Sequence, residues 1–223
     1  MYNQIYRMKI DIHIPWRDNG CEYRKNSFNF LYNHYSTIGN VITIDSEFKE
    51  FNRSNARNLC IKNSKNEIAI IIDADNYISR EQILIGLQVS EQTDRIVRPF
   101  NSIHYLNREA TQRFISDTLN FKPTYKDYEY IPPDGITMEN SGGAYIVKKS
   151  TWERLGGMDE KFEGWGIEDM AFNQVHNHYY GEQVYIDGPN YNLHHPADRI
   201  ASEKNWNRYI IWYKSGKIYN DTK

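Results

Sequence analysis

Asp73-Ala74-Asp75 follows Ile68-Ala69-Ile70-Ile71-Ile72, the most apolar short run in the chain, so two carboxylates emerge at the C-terminal lip of an expected buried strand. In open α/β sheets that lip is where ligands bind. Carboxylates at such a place gain nothing from an apolar neighbour, and their natural use is to hold a divalent cation through hard oxygen ligands, with a phosphate as the cation's partner. Turn and helix-capping chemistry also accounts for an Asp-x-Asp-Asn string after a strand, so the triplet alone leaves both uses open.

A second group of acids stands in Gly164-Trp165-Gly166-Ile167-Glu168-Asp169, at the start of an expected helix. The helix macrodipole favours acids in a first turn and glycines suit the turn before it, which explains the acids but not the indole between the glycines. A ligand-binding use accounts for all six residues: the glycines let backbone approach a ligand, Trp165 offers a stacking face, and the carboxylates grip or deprotonate hydroxyls.

The elements that must position these acids follow from periodicity. Met8 to Ile14 alternates before Pro15 and reads as a strand; Arg24 to Tyr35 has helical spacing through Phe28, Leu31 and Tyr32. Val41 to Ile44 reads as a second strand, Ser54 to Ile61 as a helix opened by a capping Ser, and Ile68 to Ile72 as the third strand. Ser79 caps a helix to about Ser90, and Arg95 to Pro99 makes a further strand. Strands alternating with helices predict an α/β domain with a mostly parallel central sheet and helices on both faces, a Rossmann-like half. The second half is less regular, with helices expected near Asn107 to Leu119, Ser150 to Leu155 and Glu168 to Tyr179, a strand at Ala144 to Val147, and a Tyr- and Pro-rich loop from Phe121 to Pro133. A single domain over residues 1–223 is expected, with about 1–100 holding a nucleotide and about 101–223 shaping the acceptor side.

A chain of 223 residues buries roughly 70% of its unfolded surface, enough for a genuine core. The formal net charge of -2 and a pI near 6.4 give no general attraction to nucleic acid or anionic membranes. No apolar signal region opens the chain, and the run at Ile68 is far shorter than the roughly 20 residues of a membrane helix, so a soluble, cytoplasmic protein without a membrane span is expected. Cys21 and Cys60 lack zinc-like or redox-like spacing and read as inert thiols in a reducing compartment. Much of the aromatic content, 18 Tyr and 5 Trp, lies in polar surroundings. Rings beside hydrogen-bonding tips suit the apolar faces and polar rims of sugars, although composition does not separate this from an aromatic-rich core.

Several separated stretches resemble one family. Asn140-Ser141-Gly142-Gly143-Ala144-Tyr145, Trp152-Glu153-Arg154-Leu155-Gly156-Gly157-Met158-Asp159 and Gly164-Trp165-Gly166-Ile167-Glu168-Asp169, in that order, are similar to the C-terminal signature of nucleotide-sugar glycosyltransferases with the GT-A fold. The likeness is greatest to the β-1,4-galactosyltransferases, then to polypeptide GalNAc-transferases and chondroitin-type polymerases. Ile14-Pro15-Trp16-Arg17 resembles the element lining the uridine and diphosphate pocket, Phe51-Asn52-Arg53 a second nucleotide-binding element, and Asp73-Ala74-Asp75 the metal-binding triplet. The sequence departs from the family at Asp18-Asn19, where a second basic residue is common, and at Met170, where a further acid is usual. It resembles a compact bacterial or viral version of these enzymes.

The resemblance implies transfer of a hexose or N-acetylhexosamine from a UDP-sugar to a hydroxyl of a carbohydrate or glycoconjugate acceptor, with inversion. Asp75 is then the direct metal ligand and Asp73 the supporting one. His195 is favoured over His194 as a third ligand because its offset to Asp198 resembles the family's His-x-x-Asp; in an extended segment only one of the two rings reaches the ion. An imidazole in the set suits Mn²⁺ better than Mg²⁺. Asp169 becomes the general base, Glu168 an acceptor-hydroxyl ligand beside Trp165, and Gly143 and Gly166 leave room for the donor. Asp198 to Arg208 resembles a segment that orders over the donor, an exposed helix being the other reading. Tyr125, Tyr128 and Tyr130 with Pro132 and Pro133 form either an acceptor-side wall or ordinary loop packing. The competing classes are a nucleotidyltransferase, which usually has a Gly-rich phosphate loop where Pro15-Trp16-Arg17-Asp18 stands, a non-catalytic sugar-binding module, and a glycosyltransferase whose acceptor is nucleic acid.

Overall fold

The protein, seen in a computed structural model, is described over residues 10–130, 142–196 and 203–214. The first half alternates as its periodicity predicts: β1 (Asp11–Pro15), α1 (Glu22–Ser36), β2 (Asn40–Ile44), α2 (Arg53–Asn63) and β3 (Ile68–Ile72). After these come β4 (Asn76–Tyr77), α3 (Arg80–Glu91), β5 (Val97–Arg98), β6 (Ser102–Leu106) and α4 (Arg108–Ser116). The second half holds β7 (Tyr128–Tyr130), β8 (Ala144–Lys148), α5 (Lys149–Arg154), α6 (Glu168–Tyr180), β9 (Val184–Tyr185), β10 (Pro189–Asn192) and α7 (Glu203–Lys214).

The main sheet has the order β2-β1-β3-β8-β5-β9. β1 runs parallel to β2 and β3, and β5 parallel to β9, while β8 runs antiparallel between β3 and β5. Alternation along β3 divides the core. Ile70 and Ile72 pack with Leu31 and Tyr35 of α1 and Ile83 and Leu87 of α3, whereas Ala69 and Ile71 pack with Cys60 and Ile61 of α2 and Phe172 and Val175 of α6. Both faces are therefore covered by helices, as a continuous apolar strand requires. A smaller sheet, β4-β10-β6-β7, stands beside the first. Its strands are short and rich in Tyr and Asn, with no periodic run to announce them.

Helix starts follow local capping chemistry. Ser79 accepts the Gln82 amide and Gln82 reaches back to Ser79, a full capping box at α3. At α2 the expected cap, Ser54, lies inside the first turn. Asn52 caps instead, its side chain accepting from the Asn55 amide at 2.8 Å, so the helix opens two residues earlier. Cys60 is buried and Cys21 partly so, both as free thiols.

One buried base ties the acid-bearing helix to the sheet. His176 of α6, fully buried, accepts the Ile96 amide through Nε2 at 2.9 Å at the entry to β5. Burial holds its pKa down to about 4, against an ordinary 6.5. Between those values the unfolded chain takes up a proton that the folded chain refuses, so stability falls as pH drops through that window, by up to about 3 kcal/mol. Denaturant titrations should show this slope in the wild type and a shallower one in His176→Gln; equal slopes would mean that His176 is not the buried neutral base.

Candidate active site

Arg57 is the centre of the site. It lies on α2 between Ala56 and the apolar pair Cys60 and Ile61, facing the core, and is fully buried. Its Nη2 donates to Asp73 Oδ2 at 2.7 Å, with a longer bond from Nε to Asp73 Oδ1, and its Nη1 donates to Asp169 Oδ1 at 2.7 Å. The guanidinium also lies over the Tyr145 ring, 5.4 Å from its centroid. Arg53, one helical turn earlier on the same face, donates to Glu168 Oε1 at 2.6 Å. The two acid groups, nearly a hundred positions apart in sequence, thus share one wall.

Asp169 accepts from Arg57 and from the Tyr145 hydroxyl on the same oxygen, Oδ1, leaving Oδ2 without a hydrogen bond among the described residues. Burial would raise its pKa, but Arg57, Arg53 and the Tyr145 bond hold the carboxyl below the ordinary range, so it stays ionised. Glu168 differs. It is 3% exposed, burial pushes its pKa up against the pull of Arg53, and its Oε2 has no hydrogen-bond partner among the described residues.

Asp75 meets His195. Leu193 donates its amide to Asp75 O at 2.7 Å, continuing the β10–β4 pairing, and two residues on His195 Nε2 lies 2.9 Å from Asp75 Oδ2. His194 turns the other way, to Glu129 at 3.0 Å, as alternation in an extended segment requires. Asn76 donates to Asp75 Oδ1 at 2.5 Å and is itself fixed by Asn190 and by Tyr35, whose hydroxyl donates to Asn76 O. Burial would raise the Asp75 pKa; the His195 bond, with the charges of Arg53 and Arg24, holds it well below the usual carboxylate range. Asp73 has both oxygens hydrogen-bonded to Arg57. Among the described residues no group of three or more His, Cys, Asp or Glu side chains forms a ready metal cage.

Two glycines are sterically required here. Gly143, at φ +101, donates no side chain where a Cβ would sit 2.7 Å from Asn76 Oδ1, and its carbonyl accepts the Asp73 amide at 2.7 Å. At Gly142 a Cβ would lie 2.2 Å from Asp169 Oδ2 and 2.7 Å from Oδ1. The acid-bearing turn is conformationally demanding too: Gly164, Gly166 and Ile167 all have positive φ, and for Ile167, at 78°, a left-handed backbone costs about 1–2 kcal/mol.

The remaining expected residues have definite places. Pro15 ends β1, and Trp16 is stacked on Phe28 at 4.3 Å with the Arg24 guanidinium 5.5 Å above its ring. Arg17 binds Asp45 and the carbonyls of Ser46, Phe48 and Lys49, and lies over Phe51, so it organises the loop between β2 and α2. Trp165 is exposed and Gly166 partly so. Tyr128 hydrogen-bonds His104 at 2.9 Å in the smaller sheet, while Tyr125 is exposed. Pro132, Pro133, Asn140, Ser141 and Asp198 lie outside the described residues, as does the stretch 198–202 of the segment expected to order over the donor. From Glu203 that segment is the start of α7, seated on the Trp-Gly turn through Asn205.

Sequence reading missed Arg57, Tyr145, Gly142, Asn76 and Asn205. Arg57 carried a signal: a guanidinium at a core-facing helical position needs an acid partner, and two acid groups were waiting. The others serve through contacts that no local pattern encodes.

Residues 29–181 match the family model described as glycosyltransferase like family 2. The chain belongs to this family. No curated protein sequence matches it. Among solved structures it is similar to a mutant of Drosophila β-1,4-galactosyltransferase 7 in complex with manganese, UDP-Gal and xylobiose, with 14% identity and a TM-score of 0.50 over 86% of this chain and 68% of that one. It is also similar to residues 1–349 of Staphylococcus aureus TarS in complex with UDP-GlcNAc, with 13% identity and a TM-score of 0.55 over 87% of this chain and 61% of that one. Glucosyl-3-phosphoglycerate synthase from Mycobacterium tuberculosis, in complex with Mn²⁺, UDP-glucose and phosphoglyceric acid, matches with 12% identity and a TM-score of 0.56, over 93% of this chain and 80% of that one. At such identities the likeness is one of fold, and that fold is GT-A. No described helix of the family member is long and apolar enough to cross a membrane.

Gly142→Ala tests the steric claim. The added methyl must displace the Asp169 carboxyl from Arg57 and Tyr145, and a misplacement of about 1 Å lowers turnover on the order of a hundredfold. Steady-state transfer assays should show that loss, with the unfolding midpoint lowered as buried Arg57 gives up a partner; undiminished turnover would mean that Asp169 need not sit where it does.

Proposed function

We propose that this glycosyltransferase moves a hexose or N-acetylhexosamine from a UDP-sugar to an acceptor hydroxyl, by single displacement with inversion, with a divalent cation held by Asp75 and His195. The observation that carries the reading is the single guanidinium of Arg57 bonded to both Asp73 and Asp169, which makes the acids behind β3 and those at the start of α6 two sides of one site.

The residues present fit a metal ion. Asp75 and His195 offer a carboxylate oxygen and an imidazole nitrogen side by side, both partly accessible, and the imidazole favours Mn²⁺ over Mg²⁺. When bound, such an ion supplies Lewis-acid neutralisation of the charge that builds on departing UDP.

The chain's own residues do the rest. Arg24 has no carboxylate partner among the described residues, lies over the Trp16 ring and acts electrostatically on Asp75, so its charge is available to a diphosphate at the end of β1. It supplies the cation that Asp18-Asn19 lacks. Asp169, ionised and held through Oδ1, keeps Oδ2 to take the proton of the acceptor hydroxyl as the new bond forms. Glu168, whose buried Oε2 has no partner among the described residues, is assigned a second acceptor hydroxyl, and the exposed indole of Trp165 suits a sugar face. The acceptor is accordingly a carbohydrate or a glycoconjugate.

Asp169→Asn should reduce transfer by three orders of magnitude or about that, since a neutral amide takes no proton, while UDP binding in the presence of Mn²⁺ is retained in calorimetry. Full turnover by this variant in a UDP-sugar panel would remove Asp169 as the base. Arg24→Gln should raise the donor KM about tenfold, the worth of one charge-assisted contact to phosphate, and leave the acceptor KM unaltered. An unchanged donor KM would place the diphosphate elsewhere.

A further inference from the structure

We propose that Asn205, on the C-terminal helix α7, is a positioning residue for the turn that carries Glu168 and Asp169; this rests on the function proposed above. Its side chain is buried, and the one amide makes three backbone bonds. Oδ1 accepts from the Glu163 amide at 3.2 Å, and Nδ2 donates to Glu163 O at 2.9 Å and to Gly166 O at 3.0 Å. Both ends of Glu163–Gly166 are thereby tied to α7.

The turn needs that hold. Gly164 and Gly166 are at positive φ, Trp165 is exposed, and neither glycine has a side chain to pack, so the segment has little anchorage of its own. The carbonyl of Gly166 belongs to the peptide that enters Ile167, the residue held in the left-handed region, and Ile167 is the N-cap of α6, whose first two residues are the acids. Rotation of that peptide moves the start of α6 and withdraws Asp169 from Arg57. Arg208, three positions beyond Asn205, donates from Nε to the buried Asp159 at 2.6 Å and fixes the approach to the turn. Lys204 also pairs with Glu163, but both side chains are exposed and such a pair contributes little.

The consequence is a division of labour. Donor contacts lie at the ends of β1, β3 and β10, on strands that α7 does not set, whereas the acid facing the acceptor depends on a helix at the other end of the chain. Loss of the Asn205 bonds should lower kcat and leave the donor KM in place.

The test compares wild type, Asn205→Ala, Asn205→Asp and Lys204→Ala by hydrogen exchange and by UDP-sugar transfer kinetics. Asp keeps the acceptor for Glu163 N–H but loses both donations, so it should behave as Ala does. Both Asn205 variants are expected to speed amide exchange across Gly164–Asp169 by about tenfold, leave Ile68–Ile72 unchanged, and lower kcat by at least about tenfold with the donor KM within about twofold. Lys204→Ala should match wild type. Unchanged exchange in the turn, or unchanged kcat in a variant whose turn has loosened, overturns the proposal. Should Asn205→Ala also loosen Ile68–Ile72, Asn205→Ser, which keeps a hydroxyl in place of the amide, is held to the same two criteria. A wild type that transfers from no UDP-sugar would sink the proposed function, and exchange in the turn would still decide whether Asn205 holds it.

Discussion

The structure of the site depends on one buried positive charge. A guanidinium as deeply placed as that of Arg57 is tolerable only with its donors satisfied by anions, and Asp73 and Asp169 satisfy them from two directions. The dependence is mutual. Four carboxylates gathered at the ends of β3 and α6 would repel one another in a low dielectric, and Arg57 and Arg53 make their approach possible. Removing one partner of such a pair leaves an uncompensated buried charge, which commonly costs about 3–5 kcal/mol, so this arrangement is held in place by the penalty of its alternatives.

Around that charge the fold delivers four chain segments to one place. The parallel run of β1 and β3 puts Pro15 and Asp73 at the same edge of the sheet, the position where α/β sheets open a crevice. β8, antiparallel to β3, starts at that edge and sets Gly143 against the Asp73 amide. β10 enters from the smaller sheet and, through one amide on Asp75 O, brings His195 to the Asp75 carboxylate. α6 supplies Glu168 and Asp169 from a left-handed residue. Backbone hydrogen bonds set each of these approaches, and the side-chain chemistry then follows from register.

The site also keeps two different kinds of carboxylate. Asp169, held by Arg57 and Tyr145, is ionised, while Glu168, paired with Arg53 but more deeply buried, has a raised pKa and an oxygen without a partner among the described residues. Neighbouring acids with environments that push their pKa values apart are suited to different tasks. The difference arises from where Arg57 and Tyr145 can reach.

Much of this was legible in the chain. Ile68–Ile72 fell where its apolar run placed it, Ser79 announced α3, and the alternation of strands and helices specified a two-faced α/β sheet, because periodicity and capping are local properties. The two acid groups were visible as chemistry, and the spaced motifs pointed to a GT-A glycosyltransferase. Alternation in an extended segment implied that only one of His194 and His195 faces Asp75, and the family resemblance favoured His195, the one that lies on Asp75. The sequence did not disclose the short strands β4, β9 and β10, whose pairing comes from partners distant in the chain, or the task of Arg17, which serves the loop after β2. Nor did it disclose that Arg57 joins the two acid groups or that Asn205 grips the turn. Those contacts span between 16 and 112 positions in the chain, and a hydrogen bond between distant residues leaves no periodic trace. Sequence alone determined which groups were available for chemistry and which segments would be strands and helices; only the tertiary structure decided which charges met, because that depends on how the packed elements close on one another.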